Sequence, residues 1–182
     1  MKKIILGFTG EIACGKGKAT KYISEKYHGS SHRFSTMLRE VLIRLYLEQS
    51  RKNMQEISTV IRQTFGEDTM AKVMYEDVKT DPNEMIVIDG VRRLADIKYL
   101  KQLPEFKLVY IDTSIENRYR RIVKRGENPD DNTKTLEQFK KDQEGEADMQ
   151  ISGLKDKADF VVDNNGTTED LYAQIDAIIK EC

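Results

Sequence analysis

Short apolar runs recur along the chain: Ile4, Ile5, Leu6 and Phe8, then Met85-Ile86-Val87-Ile88, then residues 106–111, then Phe160-Val161-Val162. Each has the length of a strand. Between them lie segments whose apolar residues return every three or four positions, as on a helix. That alternation predicts an α/β domain, a parallel sheet with helices on both faces. The first helical segment is 18–27. The next is 36–48, with Ser35 as its N-cap and Leu38, Val41, Leu42 and Leu45 on its core face. Residues 50–65 carry Ile57, Val60, Ile61 and Phe65 in register and stop at Gly66; residues 67–80 end at Asp81-Pro82-Asn83. A further helix is expected over 92–103. In the following one Ile115, Tyr119, Ile122 and Val123 share a face. Thr135 and Gln138 form a capping box, and Thr167 caps a last helix buried through Leu171, Ile175, Ile178 and Ile179. A short, poor strand at 31–34 and a fifth at 158–163 complete the sheet. Residues 145–157 carry no assignable pattern.

Three helices between a short second strand and a strong third exceed one crossover. An insertion of that kind, about 35–80, is expected to hold a second substrate. The 182 residues read as one domain, with no repeat or linker. Thirty basic residues against 31 acidic ones leave a net charge of −1, which argues against binding nucleic acid through a general basic field. No segment has the apolar length of a membrane span, and the opening Met-Lys-Lys-Ile-Ile-Leu is too short for a signal peptide. Two cysteines, Cys14 and Cys182, make no disulfide framework, so a cytoplasmic protein is expected. His28 and His32 lack the companions of a metal site and read as surface or packing residues.

The densest chemistry follows the first strand: Gly10, Glu11, Ile12, Ala13, Cys14, Gly15, Lys16, Gly17 and Lys18, then a helix. Strand, glycine-bearing turn, lysine and helix is the layout of a phosphate-binding loop. Gly10 and Gly15 let the backbone turn where a Cβ clashes at positive φ, and the loop amides with the positive helix end form an anion site. Lys16 adds a mobile charge for the outer phosphates. A bland turn leaves that lysine unexplained, since the helix dipole disfavours a cation there. The usual hydroxyl after the lysine is missing at Gly17, with Thr20 a weaker substitute. Mg²⁺ is then expected to rely on water, phosphate oxygens and one carboxylate elsewhere. Cys14 reads as a small filler.

Asp89 ends the clearest strand, where phosphate-loop enzymes place their Mg²⁺-side carboxylate, reached here directly or through water. Arg92 and Arg93 follow at a helix start; an anion between them removes their conflict with the dipole. Arg118, Arg121 and Arg125 form one stripe at spacings of three and four, either a solvated face or a phosphate clamp. Residues 126–132 are polar and aperiodic and read as a flap.

The loop Gly-x-x-x-x-Gly-Lys-Gly resembles that of adenylate kinases and related nucleoside monophosphate kinases, with Lys18 in place of their threonine. Asp89-Gly-Val-Arg-Arg93 is similar to their Asp-Gly-x-Pro-Arg, which implies that Arg93 grips the acceptor's phosphate. Ser35-Thr-Met-Leu-Arg39 resembles their Ser-Thr-Gly-Asp-Met-Leu-Arg, shortened and without its Asp, and implies an acceptor role for Arg39. Arg121-Ile-Val-Lys-Arg125 resembles the segment opening their lid, which implies contact of Arg121 and Arg125 with the donated phosphate and a lid over about 118–141. The stretch around Gln55 is similar to the acceptor region of phage-type deoxynucleoside monophosphate kinases. Residues 158–166 look like the end of dephospho-CoA kinases, which places Asn165 and Gly166 near the adenine of ATP. That second family's Pro-Leu-Leu-x-Glu stretch is absent.

The resemblance implies a three-layer P-loop kinase fold with a five-stranded parallel sheet in the order 2-3-1-4-5. It also implies ATP and Mg²⁺, and transfer of the γ-phosphoryl group to a small phosphorylated acceptor, a nucleoside or deoxynucleoside monophosphate. Dephospho-CoA is the alternative acceptor. A nucleotide-binding regulatory module without turnover is the alternative of another class, given weight by Gly17. Base, sugar and oligomeric state are not encoded in any motif.

Overall fold

The computed structural model describes residues 3–125, 135–143 and 150–182. Five strands, β1 (Ile4–Thr9), β2 (Ser30–Arg33), β3 (Met85–Asp89), β4 (Phe106–Asp112) and β5 (Phe160–Asp163), form one sheet in the order β2-β3-β1-β4-β5. Every neighbouring pair is parallel. Fold class and strand order are those the resemblance implies.

Alternation along the strands builds two cores. Ile5, Ile86, Ile88 and Leu108 face one side, where α2 (Phe34–Arg44), α4 (Thr69–Thr80) and α5 (Leu94–Ile97) supply Leu38, Met74 and Ile97. Leu6, Phe8, Val87, Val109, Ile111 and Val162 face the other, against α1 (Lys16–Tyr27) and α8 (Thr168–Glu181). Phe8 is fully buried, so Phe8→Ala costs about 3–5 kcal/mol. Helix α3 (Arg51–Phe65) packs on α2 and α4, one layer further out. Helices α6 (Ile115–Arg125) and α7 (Leu136–Asp142) follow β4. Among the described residues no helix is long and apolar enough to cross a membrane.

Several local expectations hold. Gly66 ends α3 at φ +109, and the helix starts one residue later than expected because Ser50 is its N-cap, accepting from the Asn53 N–H. The Thr135–Gln138 and Thr167–Asp170 capping boxes open α7 and α8. Others need correction. Ser35 is no N-cap, since α2 begins at Phe34. Nor does α2 reach residue 48: it stops at Arg44 in a Schellman motif, the Tyr46 N–H on the Ile43 carbonyl and the Leu47 N–H on that of Leu42. The left-handed residue there is Tyr46, at φ 58, where glycine is usual, so no stop is visible in the sequence. Leu38 and Leu42 are buried as expected, but Val41 and Leu45 stand 37% and 54% exposed because no element among the described residues covers that flank. Val60 and Phe65 of α3 are exposed for the same reason. Residues 92–103 are not one helix either, but α5 followed by a 3-10 turn at Leu100–Gln102.

Candidate functional site

Because all five strands run the same way, Thr9, Arg33, Asp89, Asp112 and Asp163 end along one edge of the sheet. The glycine loop leaves β1 at that edge. Gly10 has φ +138, and a Cβ on it would sit 2.6 Å from the Ile111 carbonyl and 2.8 Å from Cys14 Sγ. Gly15 has φ +116, and its Cβ would meet Asn164 Nδ2 at 2.2 Å. Both glycines are therefore demanded by geometry. Ala13 between them is also left-handed, at φ 59. Cys14 is buried filler, as its size suggests.

The N-terminus of α1 carries neither a side-chain cap nor an acidic residue in its first turn. Its first amides have no intrahelical acceptor, and the dipole adds partial positive charge. Lys16 arches back over the loop: its Nζ donates to the Gly10 carbonyl at 2.5 Å and the Glu11 carbonyl at 3.0 Å, and meets Cys14 Sγ at 3.5 Å. Ile12 is exposed at the rim, and Gly17 has open space around it. Lys18 does not turn towards the loop; its ammonium donates to Thr168 Oγ1 at 3.1 Å, tying α1 to α8. The Thr20 hydroxyl is spent on the Lys16 carbonyl at 3.0 Å.

The outer wall of the loop is a set of donors aimed at its carbonyls. The Cys14 carbonyl accepts from Asn164 Nδ2 at 2.6 Å, Thr113 Oγ1 at 3.0 Å and Arg121 Nη1 at 3.2 Å. Arg121 also reaches the carbonyls of Ala13 at 3.3 Å and Asn164 at 2.7 Å. Burial pushes the Arg121 pKa down, with nearby Cys14 opposing that shift. The residue predicted to clamp phosphate thus holds the loop from behind. Arg118 likewise leaves the stripe: it is 3% exposed, and its anion is Glu11, 2.5 Å away. Its remaining donors meet the Thr113 carbonyl at 3.2 Å and Gln143, the C-cap of α7. Two of the three arginines thus avoid repulsion by being fixed on separate protein acceptors. Arg125 ends α6; its side chain and the flap at 126–132 lie outside the described residues.

Asn164 and Thr113, which touch the loop, were not expected from the sequence, which pointed to Asn165 and Gly166 instead. Asn165 uses its side chain on the turn, accepting from Ser114 N at 2.8 Å and Asn117 Nδ2 at 3.0 Å. Gly166 lies one residue further, exposed. Strand alternation was the available signal: Val162 points inward, Asp163 outward, and Asn164 inward again at 4% exposure.

Across the sheet the side chains are of another kind. Asp89 pairs with Arg33 at 3.3 Å, one strand away. Thr9 Oγ1 donates to the Val91 carbonyl at 2.9 Å, fastening the segment after Asp89 to the base of the loop. Arg92 is exposed, and Arg93 meets the Glu67 carboxylate at 3.3 Å. Arg39 on α2 and Gln55 on α3 are exposed. A groove of about 320 Å³ opens beside Arg33, Thr36 and Met37, with Asp77 and Thr80 of α4 on its far wall.

Comparison with known proteins agrees with this geometry. A family model described as an AAA domain matches residues 9–140. A UPF0200 protein of Thermococcus kodakarensis is 28% identical, covering 98% of this chain and 97% of the relative. Among solved structures, the shikimate kinase of Bacteroides thetaiotaomicron superimposes with a TM-score of 0.65 at 11% identity, over 98% of this chain and 97% of that one. The Thermus thermophilus protein TT1252 does so with a TM-score of 0.63 at 16% identity, over 100% and 98%.

Proposed function

The chain belongs to the AAA domain family, and from that premise we propose that it transfers the γ-phosphoryl group of ATP to a nucleoside or deoxynucleoside monophosphate. Its P-loop kinase-like fold implies nucleotide binding. The observation that supports the donor side of this reading is the loop with its carbonyls pinned from behind by Thr113, Arg121 and Asn164. Carbonyls held on that side leave the amides to a polyphosphate on the other, and the two glycines leave room for it.

ATP supplies the phosphoryl group and Mg²⁺ neutralises its oxygens; the chain positions them. Lys16, on a flexible stem, exchanges the loop carbonyls for the outer phosphates. Among the described residues no three His, Cys, Asp or Glu side chains group to hold a metal. Asp89, at the carboxyl end of the strand beside β1, is the carboxylate that would take the metal together with nucleotide oxygens and water. Arg93 and Arg39 supply planar guanidinium groups for the acceptor's dianionic phosphate, with paired hydrogen bonds a lysine does not make. The same division would put acceptor binding in the insertion at about 35–80 and a lid at about 118–141.

An ADP-release assay with ATP·Mg²⁺ over ribo- and deoxyribonucleoside monophosphates, dephospho-CoA and shikimate tests the reading. The expected result is ADP release that requires one of the monophosphates. Release with dephospho-CoA or shikimate alone would move the acceptor class, and tight ATP binding without release would make the protein a regulatory module.

A further inference from the structure

We infer that Asp96 and Arg62, which no motif singled out, are positioning residues that set the acceptor-side arginines Arg92 and Arg93. The inference rests on the acceptor role proposed above for Arg93.

Asp96 lies in α5 at 3% exposure, and Arg62 in α3 at 9%. A carboxylate so buried is costly unless every oxygen is engaged. Both are. Asp96 Oδ2 accepts from the backbone N–H groups of Arg92 and Arg93, each at 3.0 Å, and Oδ1 faces Arg62 Nη2 at 3.4 Å. The guanidinium of Arg62 is in turn fixed by the Glu67 carbonyl at 2.7 Å and by Ser58 Oγ at 3.5 Å. Glu67 completes the circuit, its carboxylate 3.8 Å from Arg62 and 3.3 Å from Arg93.

This arrangement does more than cap a helix. Helix α5 has four residues and little dipole of its own to stabilise. What Asp96 holds is the extended backbone at Arg93, φ −132 and ψ 154, just before the chain turns into α5. The two arginines therefore leave the end of β3 in fixed directions. The holding charge is itself anchored to α3, an element of the helical insertion. Asp96 and Arg62 touch no phosphate in this scheme; they act through the placement of Arg92 and Arg93. Glu67, 66% exposed as a side chain, is an anion that an acceptor phosphate displaces from Arg93.

The test compares Asp96→Asn, Arg62→Ala, Arg62→Lys and Arg93→Ala with the wild type by two readouts. Amide hydrogen exchange at Arg92 and Arg93 should quicken by tenfold or more in Asp96→Asn and Arg62→Ala. Exchange in the core strands should keep its pattern, which separates positioning from global loosening. The acceptor KM, measured with the monophosphate that supports turnover, should rise about tenfold in both, approaching Arg93→Ala. The ATP KM should stay unchanged, and Arg62→Lys should restore part of the acceptor KM. Unchanged amide exchange in folded Asp96→Asn would overturn the inference. So would faster exchange with an unchanged acceptor KM, or equal losses for ATP and acceptor. If Arg93→Ala itself leaves the acceptor KM untouched, the acceptor reading falls first and this inference with it.

Discussion

The two sides of the β1–β3 junction hold their charges in opposite ways. On the loop side, Arg118 is buried and Arg121 half-buried, fixed on Glu11 and on backbone carbonyls of the loop. On the other side, Arg39 and Arg92 stand exposed and the Arg93 side chain pairs with the solvent-facing carboxylate of Glu67. Buried charges with full hydrogen bonding build a rigid cradle, whereas exposed ones remain available to exchange partners. On the proposed function, this difference gives a pre-formed polyphosphate site on one side and, on the other, guanidinium groups held at the backbone but free to exchange partners at their tips.

The sharpest way to break that comparison is in the loop. Lys16→Ala should lower turnover by on the order of a hundredfold while leaving the fold intact if, as proposed, its charge serves the transferring phosphoryl group. Unchanged turnover in a folded variant would detach the loop from the chemistry.

Arg93→Ala comes next. A charge-assisted contact is worth about 1.5–3 kcal/mol, so the acceptor KM should rise roughly ten- to a hundredfold with the ATP KM unmoved. A loss confined to ATP would reverse the assignment of the two sides.

Asn164→Ala should show the mirror image. It removes the donor to the Cys14 carbonyl and the wall beside Gly15, so the ATP KM should rise about tenfold and the acceptor KM should hold. A rise in the acceptor KM alone would show that the cradle is not what Asn164 supports.

The smallest effect concerns β2, which carries Arg33. Burial alone would push the Asp81 carboxyl up, but Ser30, the Asn83 N–H and His32 hold it well below the usual range. A folded-state pKa depressed in this way contributes stability above the unfolded value of about 3.9 and loses it as pH falls towards the folded one. Urea midpoints of the wild type and Asp81→Asn should therefore differ above about pH 4 and converge below it. A constant difference at every pH would mean that this carboxylate's charge plays no part.

How much the sequence revealed follows the same division. The strands and the glycine loop were legible because apolar runs, glycines and a lysine are local signals with local causes, whereas the strand order came only from the family resemblance. Asn164, Thr113, Asp96 and Arg62 were not, because their roles arise from long-range contacts. Asn164 meets a residue 150 positions away, and Arg62 meets one 34 away. The arginine stripe was legible as a stripe, yet sequence had no means of showing that Glu11 and the loop carbonyls would take up Arg118 and Arg121. The end of α2 escaped because Tyr46 occupies a conformation where glycine is expected.

The measurement that tests the central claim most directly is ³¹P NMR of ATP·Mg²⁺ incubated with the protein and the monophosphate panel. The account predicts ADP and one nucleoside diphosphate appearing in equal amounts, with inorganic phosphate at background. ADP accompanied by an equal amount of inorganic phosphate, whether or not a monophosphate is present, would contradict it.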